Sequence, residues 1–284
     1  MKPFFFNKNQ KIKSPIVKSP NYSLLIINYS LFTILYSLLI GCSPKSNETQ
    51  KPLNLPLTHS VIFLEKSISV NLNENFVKNK YTGVLQEIIQ NNIQQKGDKI
   101  ELWFIHENTP KGKVMTLMAR TEKPDLAGMN ATDREFAQGN YEADIQRERT
   151  IFLQKIAIQF DKPNTSSSKK ETDVLATLTI LNNIALQSAG EVKAYYFSDM
   201  IESVNAKGRR DFESNPPRNT AEAETWAGED AKKLTEQLSN LSGLSVQLIL
   251  PFEPTSTSRQ NNPTITDYWK KLMGDLGILD IEEK

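Results

Sequence analysis

The sequence is poor in the two residue types that most often carry redox and metal chemistry. Its 284 residues include one cysteine, Cys42, and two histidines, His59 and His106. A single cysteine excludes an internal disulfide framework and a multi-cysteine zinc site. The chain also lacks the G-x-S-x-G, G-x-G-x-x-G, Walker-type and H-E-x-x-H patterns. It therefore shows none of the common signatures of serine hydrolases, dinucleotide-binding enzymes, nucleoside triphosphatases or zinc proteases.

Positive charge is scarce outside the N-terminus. Residues 1–41 hold five lysines and no acidic residue. Subtracting these five from the 34 basic residues leaves 29 basic against 33 acidic residues, a net charge of −4 from residue 42 onward. A weakly acidic body argues against binding nucleic acid through a broad basic face, and we expect no nucleic-acid partner.

The pattern of the N-terminal residues predicts an export signal. After the lysines, residues 22–40 are almost entirely apolar, and Leu39-Ile40-Gly41-Cys42 is followed by a polar, proline-containing stretch. A basic start, an apolar stretch and a small residue are typical of a secretory signal peptide. The four residues ending at Cys42 resemble the lipobox of bacterial lipoproteins, which implies a signal peptide over 1–41 and a lipidated Cys42. An uncleaved transmembrane anchor is the alternative, because about 19 apolar residues can span a bilayer.

Both alternatives tether the rest of the chain to a membrane on the exported side, in the bacterial cell envelope. Residues 42–57, with prolines at 44, 52 and 56, are expected to form an extended tether. The fold is expected to begin near Thr58 and to extend over residues 58–284.

Apolar runs and amphipathic stripes alternate after the tether. Residues 61–64 and 100–105 are short apolar runs, as expected for parallel strands buried on both faces. Residues 73–95 carry apolar side chains at three- and four-residue steps, which predicts a helix. A Thr132–Glu135 capping box predicts the start of a long helix that ends near Phe160. The other predicted elements are an antiparallel strand (113–119), a helix (172–188), a strand (193–197), a helix (221–241), a strand (245–250) and a final helix (265–276).

This order of elements predicts a three-layer α/β/α sandwich with a mostly parallel sheet and one antiparallel edge strand. The segment at about 122–170 is expected to be a helical insertion. In open parallel sheets, ligands bind in the crevice at the carboxyl ends of the strands. Functional residues are therefore expected directly after residues 64, 105, 197 and 250.

Polar side chains stand at these strand ends. Glu65, Ser67 and Ser69 follow the first strand, Asp199 follows the strand 193–197, and Thr172 opens the helix that leads into that strand. Carboxylates and hydroxyls are hard oxygen ligands that suit a small divalent cation held partly through water. The pattern predicts one polar cluster at the carboxyl edge of the sheet.

This pattern resembles the metal-ion-dependent adhesion site of the von Willebrand factor A (VWA) domain. That site uses Asp-x-Ser-x-Ser after the first strand, a threonine from a second loop and an aspartate after the fourth strand. The resemblance extends over about residues 60–276 and implies a VWA-like, Rossmann-like fold. It implies a bound Mg²⁺ that takes an acidic side chain of a protein partner as its remaining ligand. The residues expected to hold the ion, directly or through water, are Glu65, Ser67, Ser69, Thr172 and Asp199.

Two departures from the family pattern concern the metal. Glu65 stands where the family has aspartate, and its carboxylate reaches roughly 1.5 Å farther. Since Mg²⁺ needs near-octahedral geometry at ~2.1 Å, the loop must shift or the ion is lost. The segment 122–170 is also longer than the family's connection requires. Thr132 within it is an alternative to Thr172, although its capping box already accounts for it.

Each residue also has a purely structural explanation. Ser67 and Ser69 can satisfy backbone groups in a strand-to-helix loop, and Ser198-Asp199 can open a turn. The loop after Asp199 carries basic residues that we expect to be solvated rather than to line the site, namely Lys207, Arg209, Arg210 and Arg218.

Three functions are compatible with these observations. The first is a membrane-anchored protein-binding module that uses a degenerate adhesion site. The second keeps the fold without the metal, as a scaffold in an envelope complex. The third and least favoured is a metal-dependent hydrolase that uses Glu65 and Asp199.

Overall fold

A six-stranded sheet forms the centre of the protein. The computed structural model describes residues 56–67, 69–72, 74–164, 168, 170–204, 206–258 and 261–284. The predicted signal peptide, Cys42 and nearly all of the predicted tether lie outside these residues. Within the described ranges, no helix is both long and apolar enough to cross a membrane.

The sheet is parallel except at one edge. Its strand order is β3-β2-β1-β4-β5-β6. β1 pairs in parallel with β2 and β4, and β5 pairs in parallel with β4 and β6. Only β3 is antiparallel, and it pairs with β2 at the edge. The strands are β1 (Thr58–Glu65), β2 (Lys99–Ile105), β3 (Lys113–Met118), β4 (Glu191–Phe197), β5 (Ser245–Ile249) and β6 (Asp280–Glu283).

Helices cover both faces of the sheet, because the central strands are apolar on both sides. One face packs against the first two helices, α1 and α2, around Ile62 and Leu64 of β1. The other face packs against α3, α4 and α5 around Val61 and Phe63. The helices are α1 (Asn75–Asn92), α2 (Ala131–Phe160), α3 (Ala176–Gln187), α4 (Thr220–Leu234) and α5 (Pro263–Asp275). The predicted three-layer sandwich with one antiparallel edge strand is thereby confirmed.

Three details differ from the sequence-based prediction. The predicted capping box at Thr132 is wrong: Asn130 is the N-cap of α2, and its side chain accepts the Asp133 N–H at 2.9 Å. Asparagine is among the preferred N-cap residues, so Asn130 caps the helix and Thr132, two residues later, does not. α4 ends at Leu234 rather than near residue 241. The chain does not close on a helix, since α5 is followed by β6, a short strand with a single apolar residue, Ile281.

A buried carboxylate joins the end of α1 to the start of β1. Asp98 is 1% exposed and accepts the Thr58 N–H with Oδ1 at 2.8 Å. Its Oδ2 accepts the N–H groups of Gln94 and Gln95, each at 2.8 Å. These three bonds satisfy backbone donors that follow a helix and precede a strand.

Asp98→Ala should destabilise the fold, because it leaves three backbone N–H groups without their acceptor. Each such loss typically costs about 1–3 kcal/mol, so we expect the free energy of unfolding in urea to fall by at least about 2 kcal/mol. Asp144→Ala is the control, since Asp144 is exposed and, among the described residues, pairs only with Arg147 one turn along α2. Equal losses in the two variants would contradict the role given to Asp98.

Candidate functional site

The carboxyl group of Glu65 is the centre of a polar cluster at the carboxyl end of β1. Glu65 is fully buried. The Ser67 hydroxyl donates to its Oε1, and the hydroxyls of Ser69 and Thr172 lie 3.3 Å from the same atom. Its Oε2 accepts the Ser198 hydroxyl at 2.5 Å and the Asp199 N–H at 3.3 Å. Three of the predicted site hydroxyls therefore converge on a single oxygen atom of Glu65.

The sheet register explains why these residues meet. Leu64 of β1 lies beside Phe197 of β4 in the parallel ladder. The residues that follow, Glu65 on one strand and Ser198-Asp199 on the other, consequently emerge side by side. Thr172 reaches the cluster from the turn before α3, whose C-terminal end leads into β4. The structure brings together all the residues predicted for the site: Glu65, Ser67, Ser69, Thr172 and Asp199.

The cluster lies just beneath the surface. Glu65, Ser67, Thr172 and Asp199 are all buried, whereas Ser69 is exposed. Two clefts reach it, and Phe252 lines both. The first, of about 430 Å³, contains Ser69, and the second, of about 350 Å³, contains Asp199. Solvent or a partner can approach the cluster from these two clefts.

Burial makes negative charge costly at this position. Burial, reinforced by the nearby Asp199, raises the pKa of Glu65 from 4.5 to about 8. Burial also raises the pKa of Asp199, although the Ile201 N–H, 2.9 Å from Oδ1, opposes this shift. The neighbouring Lys66 amine is committed elsewhere, because it donates to the Gln159 and Phe160 carbonyls at 2.9 and 3.0 Å. The pair of carboxyl groups therefore favours a proton or a cation.

One further residue, Ser198, belongs to the cluster, and a second, Tyr81, lies within its electrostatic reach; neither was predicted as part of the site. The Ser198 hydroxyl bonds to Glu65 and also accepts the Met200 N–H at 2.8 Å, so Ser198 does more than open a turn. Tyr81 of α1 is fully buried, and its hydroxyl has no hydrogen-bond partner among the described residues. Burial raises the pKa of Tyr81, and Glu65 and Asp199 raise it further, which places the phenol within their electrostatic reach. Tyr81 was hidden in the sequence because it falls in the apolar stripe of its helix.

The prediction of a solvated basic loop after Asp199 is wrong for two of its four residues. Lys207 and Arg218 are exposed, as expected. Arg209 pairs with Asp173 and Glu202, and Arg210 pairs with Glu229 and Asp230. Both side chains are partly buried, because the loop lies against the segment before α3 and against α4, which carry Asp173 and Glu229-Asp230 respectively.

The donor atoms of the cluster fit a hard divalent cation. They comprise two carboxyl groups and the hydroxyls of Ser67, Ser69, Thr172 and Ser198, and oxygen atoms of these kinds are the ligands that Mg²⁺ selects. No group of three or more His, Cys, Asp or Glu side chains in the described part of the chain is arranged to hold a metal. Any cation in this cluster therefore depends on hydroxyl ligands, and Glu65 Oε1 must give up its central position among them.

Comparison with known proteins gives structural likeness only. No protein-family model and no curated protein matches the chain by sequence. The pilus adhesin SpaC from Lactobacillus rhamnosus GG has a TM-score of 0.39 and 10% identity, over 81% of this chain and 28% of the adhesin chain. The human COPII-coat protein Sec24c has a TM-score of 0.34 and 11% identity, over 81% of this chain and 30% of the coat protein.

A third solved structure is proximal thread matrix protein 1 from the mussel byssus. It has a TM-score of 0.31 and 8% identity, over 81% of this chain and 44% of the matrix protein. The chain thus spans less than half the length of each of the three structures. Likeness of this extent assigns no function.

The raised pKa of Glu65 predicts a pH dependence of stability in the absence of divalent cations. The carboxyl titrates near 4.5 in the unfolded chain but keeps its proton up to a pH of about 8 in the folded protein. Between these values the folded state binds more protons than the unfolded state, so the free energy of unfolding should fall as the pH rises. Glu65→Gln should reduce this slope in urea titrations with chelator.

Glu142→Gln, which changes an exposed position of α2, is the matched control and should keep the wild-type slope. A Glu65→Gln variant with an unchanged slope would contradict the assignment of this titration to Glu65.

Proposed function

We propose that the chain is a membrane-anchored protein-binding module of the bacterial cell envelope. In this proposal residues 1–41 are a lipoprotein signal peptide, residues 42–57 are a tether that begins at lipidated Cys42, and residues 58–284 form a VWA-like domain with a helical insertion at about 122–170. The observation that carries the proposal is the convergence of the Ser67, Ser69 and Thr172 hydroxyls, together with Asp199, on Glu65. No motif or contact favours hydrolysis over binding.

The direction of β1 separates the cluster from the start of the sheet. The chain enters β1 at Thr58 and reaches the cluster at Glu65. Eight residues of strand span about 26 Å. The clefts beside the cluster therefore lie at the opposite end of the strand from Thr58.

The proposed role of Mg²⁺ is to present a positive centre to the partner. The Ser67, Ser69 and Thr172 hydroxyls, with the carboxylates of Glu65 and Asp199, would hold the ion directly or through water. When bound, the ion compensates both buried carboxylates and leaves a coordination position for an acidic side chain of the partner. The raised pKa values of Glu65 and Asp199 support this role, because they mark a site that lacks positive charge.

A metal-free scaffold of the same fold is the second candidate. It is favoured by one observation, the central position of Glu65 Oε1 among the three hydroxyls that would otherwise face the ion. A protonated Glu65 in this position would complete the hydrogen bonding of the cluster without a cation.

Thermal unfolding with and without Mg²⁺ separates the two candidates. A ligand that binds only the folded state adds about 2.7 kcal/mol of stability at 100 times its Kd, so the wild-type midpoint should rise with Mg²⁺. Glu65→Gln and Asp199→Asn should abolish the rise. Glu65→Asp should strengthen Mg²⁺ binding, because the shorter side chain frees the space between the Ser67, Ser69 and Thr172 hydroxyls. A wild-type thermal midpoint that does not change with Mg²⁺, together with higher midpoints for Glu65→Gln and Asp199→Asn, would establish the scaffold instead.

Thr172→Ala and Thr132→Ala form a matched pair for the same measurement. Thr172→Ala should weaken the response to Mg²⁺, whereas Thr132 is exposed in the first turn of α2 and should leave it unchanged. The opposite pattern would move the ion into the insertion.

Lipidation of Cys42 predicts fatty-acid labelling of the intact protein in bacterial cells. A fatty-acid analogue should mark the wild type and not Cys42→Ser, because the sulfur is the acceptor in a lipoprotein and this cysteine is the only one in the chain. Equal labelling of the two proteins would rule out a lipid on Cys42 and favour the uncleaved anchor.

A further inference from the structure

The loop that follows Asp199 is bonded to the loop that carries Thr172. The Thr172 N–H donates to the Ser203 hydroxyl at 2.9 Å, and the Ser203 N–H donates back to the Thr172 carbonyl at 3.0 Å. The Ser203 hydroxyl in turn donates to the Lys170 carbonyl at 3.0 Å. Residues 171–174 belong to no helix or strand. Their backbone position therefore depends on bonds of this kind.

Glu202 holds the next two residues of the same loop. Its carboxylate Oε2 accepts the N–H groups of Val174 and Leu175 at 2.8 and 3.0 Å. These donors lie just before α3, where a carboxylate is stabilised by the free N–H groups and by the helix dipole. The Glu202 side chain is only 3% exposed, so water does not replace these bonds.

Arg209, farther along the loop that follows Asp199, binds both Asp173 and Glu202. Its Nη2 donates to Asp173 Oδ1 at 2.5 Å and also to Glu202 Oε1. Asp173 is itself fixed, because its N–H donates to the His106 carbonyl at 3.1 Å and its Oδ1 accepts the Ala176 N–H at 3.1 Å. A single guanidinium nitrogen thus bridges the carboxylate next to Thr172 and the carboxylate next to Ser203.

We propose that Glu202, Ser203 and Arg209 form a clamp that positions Thr172 against Glu65. They are positioning residues, since none of them contacts the Glu65 carboxyl in the structure. The inference rests on the proposed function for its metal readout, because an ion held by Thr172 requires the threonine hydroxyl at a fixed place. Groups that orient a metal ligand typically change metal affinity by 10–100-fold when they are removed.

The clamp uses side-chain carboxyl groups as acceptors in place of strand and helix hydrogen bonds. The mostly buried carboxyl groups of Glu202 and Asp173 accept the N–H groups of Val174, Leu175 and Ala176, and Arg209 supplies the positive charge that they share. Removal of Arg209 alone leaves two mostly buried carboxyl groups without a cationic partner, which is far more disruptive than loss of an exposed ion pair. The carboxylates would then turn toward water and release the loop.

The test compares Arg209→Gln with Arg210→Gln. Arg210 is the matched control, because it also makes two ion pairs and lies one residue on, but it binds α4 through Glu229 and Asp230. Without metal, Arg209→Gln should raise the amide exchange rate of residues 172–176 at least about tenfold, while β1 and β4 keep their protection. Calorimetric titration should show a Kd for Mg²⁺ that is raised at least about tenfold. Arg210→Gln should change neither quantity.

Two more variants make the outcome decisive. Arg209→Lys should restore both readouts to within about threefold, because one nitrogen bridges the two carboxylates and an ammonium can take its place. Ser203→Ala removes only a hydroxyl and should also raise the exchange rate of residues 172–176 and the Kd for Mg²⁺. It replaces Arg209→Gln in the test if Arg209→Gln fails to fold.

Unchanged exchange of residues 172–176 in both Arg209→Gln and Ser203→Ala would overturn the clamp. Faster exchange with an unchanged Kd for Mg²⁺ would overturn its positioning role. A wild-type protein that binds no Mg²⁺ would count against the proposed function, and amide exchange with the Arg209→Lys rescue would then decide the clamp by itself.

Discussion

A carboxyl group buried at the end of the central strand is the constraint on which the rest of the site depends. Glu65 is fully enclosed, and hydroxyls of Ser67, Ser69, Thr172 and Ser198 surround its two oxygen atoms. A buried carboxyl without such partners would cost several kcal/mol. The loops after β1 and β4 and the turn before α3 must therefore all reach this point. The polar edge of the sheet is organised around one side chain rather than around separate loop conformations.

The proximity of Asp199 makes this arrangement electrostatically incomplete. Two carboxyl groups in one water-poor cluster disfavour a second negative charge, as the raised pKa values of both groups indicate. The amine of Lys66, the residue after Glu65, instead binds the C-terminal carbonyls of α2. A proton satisfies this cluster, and in the proposal made above a divalent cation does so instead, with the length of the Glu65 side chain as the deciding factor. An aspartate at position 65 would leave the space between the Ser67, Ser69 and Thr172 hydroxyls open, whereas Oε1 of Glu65 fills it.

Three charged side chains away from the cluster, those of Asp98, Glu202 and Arg209, fix backbone segments or the residues that hold them. Asp98 binds three backbone N–H groups between α1 and β1, and Glu202 binds two before α3. Arg209 bridges Glu202 to Asp173 in the interior of the loop after Asp199. The same physical rule applies to each: a backbone donor outside regular secondary structure needs an acceptor, and a buried acceptor with charge needs compensation. The charged side chain of Arg209, which the sequence predicts to be solvated, is thus part of this network.

The sequence by itself determined the layers, the order of the elements as far as α5 and five of the residues of the cluster. Apolar runs and amphipathic stripes report burial directly, and the ends of parallel strands share one edge, so Glu65, Ser67, Ser69, Thr172 and Asp199 were predictable together. Only the tertiary structure decided that Oε1 of Glu65 takes the centre, that Tyr81 is buried within the electrostatic reach of the carboxyl pair, and that Arg209 bridges two carboxyl groups. It also decided the Asn130 cap of α2 and the edge strand β6. These outcomes depend on distances between residues far apart in the chain, and no local period in a sequence encodes such distances.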